Sequence, residues 1–215
     1  HFSKMETLKQ LAVKGILKSA VTWIKDYLET EEKLVVGCIH TSVVDALYKE
    51  FGKTALKITG ATKDKDAAGL MFQNNPKYRL AICNIEAAGL GIDLFAANST
   101  LSLEYLWKPA PHDQFEARVH RIGQDASAVN AYYMIGVDTV MEIIAELIDE
   151  KRKVIDAIVD GRETEDIDLL TELLKRINEQ SPTDHSKEKG KKGKRTKGVA
   201  TVLGKRQKKQ NPSPA

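Results

Sequence analysis

Apolar positions recur every three or four residues along the first 30 residues of the chain, with polar positions between them. The apolar set is Met5, Leu8, Leu11, Ile16, Leu17, Ala20, Val21, Ile24 and Leu28. Because side chains three and four residues apart share one face of a helix, this pattern predicts one or two amphipathic helices over residues 4–29.

Short apolar runs then alternate with helical patterns. The run at residues 34–39 is continuous, which is typical of a strand buried on both faces. Further strands are predicted near residues 56–59, 78–83, 100–105 and 129–135, and helices near 42–51, 64–73, after Pro111 and at 139–159. This alternation predicts a parallel α/β sheet with helices on both faces. A last amphipathic segment, residues 170–177, is expected to pack against it.

The end of the chain has a different composition. Residues 181–215 carry eleven Lys and Arg against two acidic residues, which is +9, so residues 1–180 sum to −6. The tail has almost no apolar clusters and is predicted to be disordered. It could bind any polyanion, serve as an address signal or aid solubility. We expect four segments: leading helices (1–32), one lobe (33–162), a helix (163–180) and the tail (181–215).

Composition limits the class of protein. With 42% hydrophobic and 29% charged residues, the 215-residue chain is expected to be globular and intracellular, without a membrane partner. Its first residue is His, which favours a piece of a longer protein. Cys38 and Cys83 lie inside apolar runs without metal-ligand spacing, so we expect buried thiols and no metal site.

Three long polar side chains, Gln114, Arg118 and Arg121, lie at offsets of 0, +4 and +7. On a helix this spacing places them on one face. Guanidinium groups stay charged and bind planar anions through two parallel hydrogen bonds, so the face suits phosphate. A solvated basic helix face is the alternative, and this spacing alone does not decide between them.

The chain lacks the usual loops that hold a nucleotide. Gly52–Thr54 resembles the end of a phosphate loop but leaves a predicted helix, and the Gly89 and Gly91 segment lacks the third glycine of a dinucleotide site. Asp149 and Glu150 belong to an amphipathic helix. An arginine pair without a phosphate loop indicates a lobe that completes a site formed elsewhere, as an arginine finger does.

Residues 114–124 resemble motif VI of the Swi/Snf family of DNA-translocating ATPases in helicase superfamily 2. Other blocks follow in the family's order. Residues 34–40 are similar to motif IV, Thr59 and Gly60 to the D-G-S/T turn, residues 88–94 to motif V, and residues 107–109 to the W-N-P block.

The resemblance implies the second of two RecA-like lobes, a P-loop NTPase-like fold. Arg118 and Arg121 would face the γ-phosphate of ATP, with Gln114 orienting the site, while ATP and Mg²⁺ would be bound mainly by a first lobe outside this chain. It implies that four residues couple ATP to DNA: Gly89, Leu90, Gly91 and Asp93. It implies DNA contacts at His40, Thr41, Ser42, Gly60 and Lys108.

Two positions depart from the family pattern. Asp93 stands where many members have Asn, and its charge would repel DNA phosphate; Lys108 replaces the Asn of W-N-P. His40-Thr41 and Glu104-x-x-Trp107 resemble the annealing-helicase branch more than nucleosome remodelers. The expected partners are duplex or branched DNA and the first lobe, in the cytoplasm or nucleoid of a prokaryote or the nucleus of a eukaryote. Alone, this lobe should be inactive; a non-catalytic nucleic-acid-binding or adaptor module is the alternative.

Overall fold

The computed structural model describes residues 2–30, 32–89, 91–124, 126, 128–159, 168–180 and 200–209. The helices are α1 (Phe2–Leu28), α2 (Thr41–Phe51), α3 (Lys65–Asn74), α4 (Ile85–Ala88), α5 (Pro109–Glu116), α6 (Val140–Val159) and α7 (Leu169–Gln180). The strands are β1 (Leu34–Cys38), β2 (Ala55–Ile58), β3 (Leu80–Asn84), β4 (Ser99–Ser102), β5 (Ala128–Gly136) and β6 (Ala200–Lys209).

The strands form one sheet in the order β2-β3-β1-β4-β5-β6. The first five are parallel; β1 lies centrally, with Leu34 opposite both Leu80 of β3 and Ser99 of β4. Parallel neighbours need crossover connections, and the helices between strands supply them. The predicted parallel α/β sheet is confirmed.

Burial along β1 shows why helices cover both faces of the sheet. All five of its residues are buried. Leu34 and Val36 contact the cluster beneath α1 and α2, whereas Val35 contacts the opposite cluster, which contains Phe72 of α3 and Phe115 of α5. Because successive side chains of a strand point to opposite faces, a continuous apolar run is what a two-sided core requires.

A third cluster closes the β5 end of the body. Tyr133 of β5 packs with Ile144 and Ile148 of α6, and with the fully buried Leu173 of α7. The amphipathic segment predicted near the end of the body therefore packs as expected. Among the described residues, no helix has the length and apolar character needed to cross a bilayer.

The leading helix, two short sequence motifs and the cysteines lie where the structure allows a direct comparison with the predictions. The leading pattern forms one continuous helix, α1. Gly52–Thr54 is a short 3-10 turn, and Asp149 and Glu150 lie inside α6, as expected. Cys38 and Cys83 are free and buried.

The tail requires a correction. Residues 181–199 and 210–215 lie outside the described residues, but Ala200–Lys209 forms β6, antiparallel to β5. The prediction of disorder counted only side-chain burial. Backbone hydrogen bonds to the edge of β5 supply a stabilisation that composition does not reveal.

Candidate functional site

Gln114, Arg118 and Arg121 do not share one helix, because α5 ends at Glu116. Residues 117–124 form a series of turns, which we call the arginine turn. The carbonyl of Arg118 accepts a hydrogen bond from the Leu94 N–H at 3.0 Å. Since that carbonyl is engaged by a distant segment, it does not continue the helical ladder, and the predicted single helix face is wrong.

Arg118 reaches across to the glycine-rich segment. Its Nη2 donates to the carbonyl oxygen of Gly89 at 2.6 Å. Burial and the neighbouring Arg121 lower its pKa, an effect partly opposed by Asp93. Arginine keeps its charge under such shifts, so the side chain is a cation held in a fixed position.

Arg121 projects further into solvent. Its Nη1 forms an ion pair with Asp93 Oδ1, and the two side chains are 39% and 48% exposed. Next to it, the Ile122 side chain is fully exposed at the tip of the turn. Exposed ion pairs contribute little to stability, so Asp93 holds Arg121 only weakly.

Gln124, the last residue of the arginine turn, fixes the turn through side-chain hydrogen bonds. The sequence did not predict this role. Its Nε2 donates to the carbonyls of Phe95 at 2.8 Å, Ala97 at 2.7 Å and Val119 at 3.0 Å. Its Oε1 accepts from the Ala126 N–H at 3.0 Å. The amide therefore joins the turn to the segment before β4. The sequence feature that could have indicated this role is the glutamine at the end of residues 114–124, the segment that resembles motif VI.

The glycine-rich segment lies against this turn. A Cβ placed on Gly89 would lie 3.6 Å from Gln114 Oε1, so Gln114 and Gly89 are neighbours. Gly91 has a φ of 80°, a conformation that favours glycine. Leu90 lies outside the described residues. The structure thus brings Gln114, Gly89, Arg118, Arg121 and Asp93 together.

His40 follows the carboxyl end of β1 and lies between two carboxylates. Its Nδ1 contacts Glu104 Oε1, and its Nε2 lies 3.6 Å from Glu6 Oε2. The fully buried Glu104 also accepts from the backbone N–H groups of Ile39 at 2.7 Å and His40 at 3.0 Å. The His40 ring is therefore engaged by the protein itself. The signal for Glu104 was a carboxylate within the predicted strand at residues 100–105.

The other candidate DNA contacts lie at the same edge of the sheet. Thr41 and Ser42 open α2, Gly60 follows β2, and Lys108 precedes α5; all four are exposed. Parallel strands end at one edge, and these residues follow strand carboxyl ends. The arginine turn runs from Arg118, bonded to Gly89 after α4, to Gln124, bonded to Ala97 just before the amino end of β4.

An open groove of about 900 Å³ is lined in part by Asp93, the ion-pair partner of Arg121. Its lining includes Gly91, Asp93, Phe95, Gly123 and Gln124. In the described part of the chain, no group of three or more His, Cys, Asp or Glu residues could hold a metal ion. The donors around the turn are guanidinium and amide groups, which fit a phosphate rather than Mg²⁺.

No protein-family model matches the chain. It is 35% identical over 145 residues to a SWI/SNF-related matrix-associated actin-dependent regulator of chromatin subfamily A-like protein 1 from Xenopus tropicalis, covering 65% of this chain and 15% of the relative. It is 30% identical over 171 residues to the DNA annealing helicase and endonuclease ZRANB3 from Mus musculus, covering 74% of this chain and 16% of the relative. The chain thus spans about a sixth of their length or less.

Solved structures agree with the fold. The C-terminal part of the Fun30 ATPase domain matches with a TM-score of 0.56 and 25% identity, covering 61% of this chain and 44% of that one. The Sulfolobus solfataricus SWI2/SNF2 ATPase core in complex with dsDNA matches with a TM-score of 0.52 and 28% identity, covering 66% of this chain and 31% of that one. These matches confirm the predicted fold class.

Proposed function

Because the chain belongs to the Swi/Snf-related family and resembles its C-terminal ATPase lobe, we propose that it is the second motor lobe of an ATP-dependent DNA translocase. The arginine turn carries this proposal. It holds Arg118 against the Gly89 carbonyl and Arg121 in an exposed ion pair with Asp93, which lines an open groove. The sequence has no phosphate loop of its own. Such a lobe completes a nucleotide site supplied by another lobe.

The two arginines have different tasks in this mechanism. Arg118, fixed to the Gly89 carbonyl, holds the turn against the glycine-rich segment. Arg121, whose partner among the described residues is the exposed Asp93, moves to the γ-phosphate of ATP when the first lobe closes. Its charge then stabilises the charge that develops on the transferring phosphoryl group, while Gln114 helps orient the site. Mg²⁺ would be held mainly by the first lobe.

The segment 89–98 couples the arginine turn to DNA. It begins after α4, near the carboxyl edge of the sheet, and is bonded to the turn through Gly89, Leu94 and Phe95. Closing and reopening of the ATP cleft would therefore move this segment, and with it the carboxyl edge, relative to the first lobe.

Duplex or branched DNA would lie at that carboxyl edge. Thr41, Ser42, Gly60 and Lys108 would contact its phosphates, since they are exposed and offer N–H, hydroxyl and ammonium donors. His40, engaged by Glu104, would orient the start of α2 rather than bind phosphate itself. The similarity to a protein named as a DNA annealing helicase favours strand rewinding as the outcome. A DNA motor of this kind would act in the nucleus of a eukaryote or the nucleoid of a prokaryote.

Arg121→Ala in a protein that contains both lobes tests the proposal. We expect hydrolysis to fall about 10³- to 10⁵-fold, because an arginine finger acts mainly in the transition state, with ATP binding nearly unchanged. Lys57→Ala is the matched control, since Lys57 forms an exposed ion pair with Asp45 at 2.5 Å on the β2 side of the molecule. DNA-stimulated phosphate release and binding of a fluorescent ATP analogue are measured. A wild-type rate in Arg121→Ala would refute the arginine-finger role.

A non-catalytic adaptor is the second candidate, favoured by the lack of a phosphate loop in this chain. The two are separated by adding the isolated first lobe to this chain. DNA-dependent hydrolysis that appears only in the mixture supports the motor. DNA binding without any hydrolysis in the two-lobed protein supports the adaptor. Robust hydrolysis by this chain alone would contradict both.

A further inference from the structure

Arg152 of α6 lies behind the arginine turn in a buried charged cluster, with its side chain only 11% exposed. Its Nη2 donates to the Tyr133 hydroxyl at 3.1 Å, and lies 3.3 Å from Asp113 Oδ1 and 3.8 Å from Glu116 Oε1. Its Nη1 donates to Asp149 Oδ1 at 3.1 Å. One planar guanidinium therefore joins β5, α5 and α6.

The protonation states of this cluster support one another. Burial lowers the pKa of Arg152, but Tyr133, Asp113 and Glu116 together raise it above its usual value. Burial and the nearby Glu116 raise the pKa of Tyr133, so its hydroxyl stays protonated and donates to Glu116. Arg152 is thus a permanent cation facing two carboxylates of α5.

Those two carboxylates lie where α5 leads into the arginine turn. Glu116 is the last residue of α5 and is 2% exposed. Arg118 follows two residues later. On the sheet side, Phe115 approaches β1 so closely that a Cβ on Gly37 would lie 2.7 Å from its ring. Two contacts therefore fix the end of α5: Phe115 packs against β1, and Arg152 of α6 binds Asp113 and Glu116.

We propose that Arg152 is a positioning residue for ATP hydrolysis, which sets the end of α5 and thereby the placement of Arg118 and Arg121. This inference rests on the proposed function. A catalytic group must be held close to its productive geometry, and a displacement of about 1 Å caused far from the reacting atoms can cost about 100-fold in rate. Arg152 touches no substrate; it acts through Glu116 and Asp113.

Arg176 of α7 offers a matched comparison with a purely structural arginine. It is 23% exposed and lies 2.7 Å from Glu150, 3.2 Å from Glu172 and 3.7 Å from Glu146. It therefore binds carboxylates as Arg152 does, but all of them belong to α6 and α7. Loss of Arg176 should affect packing of these helices without moving α5.

The test compares Arg152→Lys with Arg176→Lys in the two-lobed protein. Lysine keeps a positive charge near the buried carboxylates, so folding is preserved, but it lacks the fork that spans several partners. For Arg152→Lys we expect kcat to fall about 10- to 100-fold, with the KM for ATP close to that of the wild type. Arg176→Lys should keep the wild-type kcat. Circular dichroism at the assay temperature verifies that both variants are folded.

A double-variant experiment distinguishes positioning from general destabilisation. If Arg152 acts through the turn, Arg152→Lys should cost much less when Arg121 is already Ala. Equal costs in both backgrounds, or a wild-type kcat in folded Arg152→Lys, would overturn the inference. Arg121→Ala alone reports on the proposed function, because a wild-type rate there would reject the arginine finger itself. The two failures are therefore distinguishable.

Discussion

Substitution of Gly37 in the central strand β1 tests how closely α5 packs against the sheet. Gly37→Ala adds a methyl group whose carbon would lie 2.7 Å from Phe115 Cε1 and 2.9 Å from Ile85 Cγ1. Both neighbours are completely buried, so neither can swing into solvent. Either the Phe115 ring or the backbone of β1 must move.

These contacts set the loss of folding free energy that Gly37→Ala should cause. Distances below 3.0 Å are shorter than van der Waals contact, and overpacking of this kind costs about 1–3 kcal/mol. For a chain of about this size, each kcal/mol changes Tm by about 2–4 °C, so the Tm of Gly37→Ala should fall by about 2–12 °C. Urea unfolding should show the same loss of about 1–3 kcal/mol directly in the free energy of unfolding.

Gly15→Ala is the control with the opposite sign. Gly15 is exposed within α1, and nothing lies within 4 Å of a Cβ built there. Alanine is favoured over glycine in a helix interior by about 0.5–1 kcal/mol, so this variant should raise Tm. The same substitution therefore shifts Tm down in β1 and up in α1.

A second substitution checks the cause. Phe115→Leu removes the ring atoms that the new methyl group would meet, so Gly37→Ala should cost clearly less in that background than in the wild type. If Gly37→Ala leaves Tm unchanged, or costs the same with and without the Phe115 ring, the close seating of α5 on β1 is refuted.

Two further predictions follow from buried titratable groups. His112 is fully buried, its Nε2 accepts from the Leu106 N–H at 2.9 Å, and burial, with Arg152 and Lys9, lowers its pKa to about 3. The unfolded chain, with a His pKa of about 6.5, then binds a proton that the folded chain does not, so stability should fall by up to about 1.4 kcal/mol per unit as pH decreases between these values. Urea unfolding at about pH 7.5 and about pH 5.5 measures this, and His112→Gln should reduce the slope; an equal slope would rule out His112 as its source. Burial raises the pKa of both Cys38 and Cys83, so neither thiol should react with a disulfide reagent at about pH 8 until urea unfolds the chain, and fast native labelling would contradict their burial.

The sequence was most informative where one local pattern determines the structure. The apolar run of β1 predicted burial on both faces, because a strand inside a covered parallel sheet has apolar residues on both of its faces. The arginine string was expected to form one helix face, but α5 ends at Glu116 and the two arginines lie in the turns that follow. The helical spacing continues past Glu116. In the structure the chain beyond Glu116 bonds instead to a distant segment, with the Arg118 carbonyl accepting from the Leu94 N–H and Gln124 donating to the Ala97 carbonyl.

The sequence also did not predict which groups pair with the charged side chains. Asp93 stood out as a charge unfavourable for DNA, yet its partner in the structure is Arg121, 28 residues later. His40 resembled a DNA contact, and the structure places its ring against Glu104, 64 residues later. Spacing along the chain predicts neighbours within a helix or strand, but contacts between elements depend on the sheet order.

The last strand changes what the basic tail means for the isolated protein. Without β6, the N–H and C=O groups along β5 would be an open edge, able to pair with a strand of another molecule. The backbone of β6 pairs with that edge from Ala128 to Gly136. Removal of residues 200–209 would therefore leave the hydrogen-bonding groups of β5 open to a strand of another molecule.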